Sequence, residues 1–198
     1  MAAAAHLRRL RETLDGPVTL GELSAKLGRE GIGLLAFLCA LPFLQPIPLA
    51  GLGTPVGFLL AAIGIQLVRG HEAPVLPRFA AERRLEAATV TRLLSMAEKF
   101  LVFAERFARP RWPALARSPR LIGAGIVALA LIMIVPVFVP FGNPLTAAPL
   151  ALFGLALLEE DGLLCALGLA GTIMTVAYHA AFARLVWNVL KHAAKRFT

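Results

Sequence analysis

The sequence predicts an all-α, polytopic integral membrane protein, and three observations support that fold class. The chain is 58% hydrophobic and 16% charged, against about 45–50% and about 25% in soluble domains. Residues 31–68 and 121–158 contain no Asp, Glu, Lys or Arg, and residues 162–183 form a third uncharged segment. Because a soluble helix keeps a polar face, a large soluble core is disfavoured.

Residues 1–30 are predicted to form short helices on the cytoplasmic surface of the membrane. Five basic and four acidic residues leave this segment nearly neutral. One helix is expected over residues 6–14. Thr19 and Glu22 have the spacing of a capping box, which predicts a second helix that runs to Leu27 and ends at Gly28.

Residues 31–68 are predicted to form a helical hairpin that prolines break near its middle. A crossing needs about 20 helical residues, so these 38 residues are barely enough for two crossings. The first arm reaches about Leu41 and rises about 17 Å, roughly half a bilayer. The breaking residues are Pro42, Pro46 and Pro48. We expect a re-entrant hairpin whose freed backbone groups are buried in protein or face a wet cavity; two full spans joined at the far surface remain the alternative.

Residues 69–120 are predicted to form a basic cytoplasmic segment. They carry eleven Lys or Arg and five Glu, and basic segments beside membrane spans stay in the cytoplasm and attract anionic lipid. An amphipathic helix is expected over 83–108, because Arg92, Lys99 and Arg106 recur every seven residues opposite an apolar face. This helix would lie in the interface or pack on a partner helix. No nucleic-acid-binding motif accompanies the charge.

Residues 121–158 are predicted to repeat the first hairpin, with a break from Val135 to Pro144. Matched breaks are typical of transporters built from internal repeats, whose sites lie near the membrane midplane. Either hairpin can also be interpreted as a pair of full spans. The matched elements are Gly31-Ile32-Gly33 with Gly123-Ala124-Gly125, Pro42 and Pro46 with Pro136 and Pro140, and Ile63-Gly64-Ile65 with Phe153-Gly154-Leu155.

Residues 162–183 are predicted to be a transmembrane helix, and a basic tail follows over 184–198. An acidic cluster, Glu159-Glu160-Asp161, precedes the helix. Basic flanks at both ends favour the cytoplasm, which conflicts with an odd number of crossings. A re-entrant arm over 144–158 would resolve the conflict, with the acidic cluster in the periplasm and the tail in the cytoplasm. Small residues on the helix faces also make a homodimer plausible.

Polar residues within or beside the apolar segments are the candidates for a substrate pathway, because polar groups are costly in a bilayer. The amides could line a route for a headgroup or ion, the carboxylates could relay cations or protons, and the arginines could hold phosphate. Structural roles compete with each: backbone and helix–helix hydrogen bonds for the amides, helix capping for the carboxylates, and topology for the arginines. The candidates are Gln45, Gln66, Asn143, Glu159, Asp161, Arg69 and Arg78, and the structural breaks are Pro42, Pro46, Pro48, Pro136, Pro140 and Pro144.

Two stretches of the chain resemble the exopolysaccharide synthesis ExoD family of bacterial inner-membrane proteins. They are LPFLQPIPLAGLGTPVGFLLAAIGIQLVRG with the following PVLP, and VPFGNPLTAAPLALFGLALLEEDG. The resemblance extends from Leu20 to about Thr175, and it departs at Val75, where the family is associated with Trp, and at Glu160, where it is more often basic. It implies a link to surface polysaccharide production and supplies no catalytic residues.

We therefore expect a transporter or flippase-like protein of the bacterial inner membrane that passes a lipid-linked saccharide, a polyprenyl phosphate or a coupled ion. The alternatives are a non-catalytic scaffold for polysaccharide machinery and an enzyme that acts on lipid carriers through Glu159 and Asp161. The sequence contains no nucleotide-binding loop, metal cluster or nucleophile–base spacing, so no cofactor, metal or catalytic residue is predicted. Anionic lipid headgroups are the expected partners, and nucleic acid is not.

Overall fold

A computed structural model describes most of the chain, and within the described residues the protein is mostly helical. The described residues are 8–9, 18–45, 51–71, 75, 82, 84–85, 91, 95, 98, 102, 111–135 and 139–194. The elements are β1 (Val18–Thr19), α1 (Leu20–Ala40), a 3₁₀ turn (Leu41–Leu44), α2 (Gly53–Val68), β2 (Arg84–Leu85), α3 (Pro113–Ala116), α4 (Pro119–Ile134), α5 (Gly142–Glu159) and α6 (Gly162–Ala194).

The start of α1 confirms the predicted capping box. The N–H of Glu22 donates to Oγ1 of Thr19 at 3.2 Å, and the N–H of Thr19 donates to Oε2 of Glu22 at 3.0 Å. Gly28 has φ 52° and ψ −132° and kinks the helix, in a backbone region that favours glycine. The first helical segment of α1 therefore ends at Gly28, as predicted, and the apolar segment follows it.

Two short strands are a feature that the sequence did not predict. Val18 pairs with Leu85 and Thr19 with Arg84 in antiparallel register. The prediction that the helix over 83–108 includes Arg84 and Leu85 is wrong, because these two residues form β2. The described residues between 91 and 102 are helical; the rest of 86–108 lies outside the described residues, as does most of 6–14.

The described helices end close to two of the prolines, Pro42 and Pro140. The 3₁₀ turn that contains Pro42 follows α1, and α4 ends at Ile134 before α5 begins at Gly142. The prolines at 46, 48 and 136 lie outside the described residues. Helices α2 and α4 have 16 residues each, which gives a rise of about 24 Å. Each arm is therefore shorter than the hydrocarbon core of about 30 Å.

Each helix of the first hairpin packs mainly against a helix of the second hairpin. Helix α2 packs against α4, and α1 packs against α5. The hydroxyl of Thr54, at the start of α2, donates to the carbonyl of Ile134, at the end of α4, at 3.2 Å. Gly64, near the end of α2, lies against Gly123, near the start of α4. Helices α2 and α4 are therefore antiparallel.

Helices α1 and α5 are antiparallel as well, because Gly33 near the start of the apolar arm lies against Gly154 near the end of α5. Both breaks consequently lie at one end of the four-helix bundle. We call this the tip end, and it comprises residues 41–45 and 139–143. The opposite end, the base end, carries Glu30, Arg69, Arg120 and Glu159.

Glycines let both helix pairs approach closely. A Cβ on Gly123 would lie 2.6 Å from the carbonyl oxygen of Gly64, and a Cβ on Gly154 would lie 2.7 Å from that of Gly33. Small residues at helix crossings permit this backbone contact. The fully buried large side chains are Ile32, Phe43, Leu60, Leu67, Ile122, Ile126, Leu129, Leu150 and Phe153.

Helix α6 packs along α5 and then continues beyond the bundle. It contains the segment Gly162–Val189, which in the described part of the chain is the one helix long and apolar enough to cross a membrane. The predicted transmembrane helix is thus supported, although it extends to Ala194 rather than ending near residue 183. Beyond the tip end most of its described side chains are exposed, with Leu185 and Val189 both at 60%.

The acidic cluster lies at the base end, together with part of the basic segment. Nη2 of Arg117 lies 3.2 Å from Oε2 of Glu160, and the N–H of Gly162 donates to the carbonyl of Arg111 at 2.6 Å. The expectation that the acidic cluster and the basic segment lie on opposite sides of the membrane is therefore wrong. Helix α5 ends at the base end, where α4 begins.

Candidate functional site at the hairpin tips

The candidate residues separate into two groups at opposite ends of the bundle. Gln45 and Asn143 lie at the tip end, and both are exposed. The others that the structure describes lie at the base end, about 24 Å away along α2: Gln66, Arg69, Glu159 and Asp161. Arg78 lies outside the described residues. The tip end and the base end must therefore be considered as separate sites.

At the base end, the side chain of Gln66 binds the main chain of Val75. Its Nε2 donates to the Val75 carbonyl at 2.9 Å, and the N–H of Val75 donates to Oε1 at 2.7 Å. The carbonyl of Gln66 also accepts a bond from the N–H of His71 at 3.0 Å. This amide therefore holds the backbone of Val75 next to the end of α2. Arg69 is the exposed C-cap of the same helix.

The acidic residues at the base end have roles in helix termination and capping. Asp161 is buried, and its Oδ1 accepts a bond from the N–H of Leu163 at 2.9 Å, which satisfies a free donor in the first turn of α6. Glu160 ends α5 with a left-handed φ of 50°, and its ion pair with Arg117 is exposed, so it contributes little to stability. Glu159 is partly buried at the end of α5.

At the tip end, α6 binds the backbone of the second break. The hydroxyl of Tyr178 donates to the carbonyl of Pro140 at 2.8 Å, and the N–H of Gly142 donates to the carbonyl of Val139 at 2.9 Å. Phe141 between them has a φ of 53°, which is strained for a bulky side chain. Backbone groups that are freed by a helix break need partners of this kind.

Thr175 supports the interrupted part of α5. Pro149 has no N–H and leaves the carbonyl of Leu145 without its helical donor. Oγ1 of Thr175, which is fully buried, lies 2.7 Å from that carbonyl oxygen and 2.8 Å from that of Gly171 on its own helix. The proline within an uncharged segment was the available sequence signal, but Thr175 was not among the predicted candidates.

His179 places an imidazole beside the second break. Its Nδ1 lies 2.8 Å from the carbonyl oxygen of Thr175. Because a carbonyl oxygen can only accept, Nδ1 carries a hydrogen and donates it to the carbonyl of Thr175. Nε2 lies 3.2 Å from the position of a Cβ on Gly142. The tip end therefore combines the amide of Asn143 with a phenol and an imidazole from α6.

An apolar groove runs between α5 and α6 and reaches the second break. Its volume is about 560 Å³, and its lining is almost entirely apolar. The lining residues are Phe141, Pro144, Leu145, Ala148, Pro149, Leu152, Leu167, Ala170, Gly171 and Met174. The groove therefore joins an apolar surface to the polar groups at the tip end.

The fold and the site define a class of protein: a helical protein with proline-broken hairpins packed on a helix long enough to span a membrane. The comparisons with known proteins identify its family. The chain belongs to the exopolysaccharide synthesis ExoD family, whose model matches residues 3–181. This confirms the predicted family and links the chain to exopolysaccharide synthesis.

Two curated relatives are similar over most of the chain. Protein ExoD of Rhizobium meliloti (strain 1021) is 28% identical over 185 residues, which cover 87% of this chain and 77% of the relative. An uncharacterized protein of Synechocystis sp. (strain ATCC 27184 / PCC 6803 / Kazusa) is 28% identical over 163 residues, which cover 80% and 76% respectively. No solved structure matches the chain.

Proposed function

We propose that this protein is a transporter or flippase-like protein of the bacterial inner membrane that moves a lipid-linked substrate, of the polyprenyl phosphate class, for exopolysaccharide production. The family membership supports the link to polysaccharide. The observation that carries the transport role is that the second break, with the tip end of the bundle, lies against the middle of α6.

The position of the tip end along α6 supports re-entrant hairpins. Thr175 and Tyr178, which bind Leu145 and Pro140, lie about 20 to 24 Å from Gly162 at 1.5 Å per residue. The apolar segment continues beyond them to Val189. If α6 crosses a hydrocarbon core of about 30 Å, the breaks lie inside the membrane, where polar groups are usually functional.

The contacts between the arms support an internal repeat. Gly123 follows Gly33 by 90 residues, and Gly154 follows Gly64 by the same number, and these four glycines form the two close crossings. Their neighbours correspond in the same way: Phe37 with Val127, Leu67 with Leu157, and Val68 with Leu158. The contacts thus relate the two hairpins by an offset of 90 residues. This offset is two residues smaller than the one between Gly31 and Gly123 in the sequence match.

Because both breaks lie at the same end, the repeats would be related by an axis parallel to the helices. Parallel repeats of this kind occur in membrane transporters, whose sites lie at the repeat interface near the midplane. The base end, with exposed Arg69, Arg117 and Arg120, would face the cytoplasm and attract anionic headgroups. At the tip end, Asn143 and His179 would bind the polar part of the substrate.

The proposal is tested by the transbilayer movement of a labelled polyprenyl phosphate in liposomes that contain the purified protein. Asn143→Leu removes an exposed polar group at the tip end and is expected to abolish the movement. Asn188→Leu makes the same change at an exposed position of α6 beyond the tip end and is expected to leave it intact. If the wild type moves no substrate with several headgroups and with an imposed pH gradient, the proposal is wrong and a scaffold role is favoured.

A further inference from the structure

We propose that the groove between α5 and α6 holds the hydrocarbon chain of the transported lipid. This inference rests on the proposed function, and it assigns the groove to one part of the substrate. The polar part would then lie at the tip end, next to Asn143.

The size and lining of the groove suit a flexible hydrocarbon chain. A volume of about 560 Å³ lies within the range of about 300–1,000 Å³ that ligand pockets occupy. Small residues keep the groove open: Ala148 and Ala170 are exposed along it, and a Cβ on Gly171 would come within 3.0 Å of Pro149. An apolar surface of this kind accepts a hydrocarbon chain without loss of polar contacts, whereas a polar ligand would lose hydrogen bonds there.

The surroundings of the groove indicate access from the lipid phase. The wall formed by α6 belongs to the segment long and apolar enough to span a membrane. Its exposed side chains there are apolar, with Leu167 at 49%, Ile173 at 71% and Met174 at 57%. A chain could therefore enter sideways from the bilayer without crossing a polar surface.

Polar groups at one end of the groove would determine the orientation of a bound amphiphile. The groove reaches Phe141 and Pro144, which flank Gly142 and Asn143 in sequence. The side chain of His179 lies against Gly142 at the same level. An amphiphile would therefore lie with its chain along the groove and its headgroup at the tip end, where the second break is held.

The inference is tested by photolabelling the full-length protein in nanodiscs with a polyprenyl phosphate that carries a diazirine on its chain. The labelled peptides are expected to fall within residues 141–152 or 167–174. Ala148→Phe and Ala170→Phe fill the groove from two different helices and are each expected to lower labelling about tenfold, which corresponds to about 1.4 kcal/mol. Ala124→Phe, at an exposed position of α4 outside the groove, is the matched control and is expected to label like the wild type.

Competition identifies which lipid supplies the hydrocarbon chain in the groove. As a control for folding, each variant should elute like the wild type from a size-exclusion column. Unlabelled polyprenyl phosphate is expected to compete with the probe, and phosphatidylglycerol is not. The inference is overturned if phosphatidylglycerol competes equally, because the groove would then hold ordinary bilayer lipid. Labelling outside the groove, or unchanged labelling of both groove variants, also overturns it.

Measuring lipid movement with the same variants separates the two proposals. If the wild type moves lipid and the two groove variants move it equally well, the groove inference is wrong and the transport function stands. If the wild type moves no lipid but is labelled specifically in the groove, the transport function is wrong and the lipid site stands.

Discussion

The hydroxyl of Thr175 completes the hydrogen bonding of a helix that a proline interrupts. Thr175→Val keeps the shape of the side chain but leaves the partly buried carbonyl of Leu145 without this donor. An unsatisfied buried acceptor costs about 1–3 kcal/mol, so we expect a loss of that size in the free energy of unfolding, measured by denaturation in detergent. Thr175→Ser retains the hydroxyl, and a loss as large as that of the valine variant would contradict this role.

The amide of Gln66 is predicted to support the backbone at the base end. Gln66→Leu removes both bonds to Val75, and because the site is exposed to solvent we expect a loss of about 1 kcal/mol in stability. At equal amounts of folded protein in liposomes, this variant is expected to move lipid like the wild type. Loss of movement without loss of stability would instead restore Gln66 to the substrate pathway.

The roles of these two residues could not be read from the sequence for the same physical reason. A polar residue in an apolar segment must find a partner, but the sequence does not specify which one. The partner of Gln66 is the main chain of Val75, and that of Thr175 is a carbonyl 30 residues earlier in the chain. Both partners are backbone groups, which almost every residue type has, so the sequence does not show which residue provides them.

At the scale of the elements, the two glycine crossings predict similar losses of stability when a methyl group is added at either one. Gly123→Ala would bring a Cβ to 2.6 Å from the carbonyl oxygen of Gly64, and Gly33→Ala would bring one to 2.9 Å from that of Gly154. Since backbone atoms cannot move aside alone, each change should separate its helix pair and cost about 1–3 kcal/mol. Thermal unfolding in detergent measures both losses, which should be similar if the hairpins are repeats.

Gly53→Ala provides the control on the α2–α4 contact. Its Cβ would meet one backbone atom, the carbonyl oxygen of Met133, at 3.3 Å, so a small adjustment accommodates it. We expect a loss clearly smaller than that of Gly123→Ala. Equal losses at both positions would contradict the assignment of the effect to the close crossing, because helix propensity by itself favours alanine over glycine.

The ends of the hairpin arms could be predicted because they depend on local chemistry, whereas the pairing of the arms could not. Proline removes a helical donor wherever it occurs, so the breaks near Pro42 and Pro140 are visible in the sequence. That α2 packs on α4 rather than mainly on α1 depends on which faces meet in three dimensions. The two-residue strands were missed because such short pairs carry no alternating pattern.

At the scale of the whole molecule, the charges and the geometry together predict an orientation in the membrane. The eleven basic residues of 69–120 outnumber the four of 184–198, so the middle segment should determine which end is cytoplasmic. The acidic cluster lies at the same end as this segment. With both hairpins returning to the base end, one crossing by α6 would place the tail on the periplasmic side.

Cysteine labelling in intact cells distinguishes re-entrant hairpins from fully spanning ones. The native Cys39 and Cys165 would first be replaced by alanine, and single cysteines introduced at the exposed positions Gln45, Asn143, Asn188 and Arg117. In the re-entrant arrangement, a membrane-impermeant maleimide should label Asn188→Cys rapidly and Arg117→Cys only after permeabilisation.

The two tip positions decide the question. Because the level of the tip end lies about 20 to 24 Å along α6 from Gly162, in a hydrocarbon core of about 30 Å, Gln45→Cys and Asn143→Cys would lie about 6 to 10 Å inside the periplasmic edge of the core, whereas Asn188→Cys would lie beyond it. Both should react with the impermeant reagent far more slowly than Asn188→Cys, while a permeant maleimide labels all three. If the tip cysteines react as fast as Asn188→Cys with the impermeant reagent, the hairpins cross completely, and the breaks are surface turns rather than a site within the membrane.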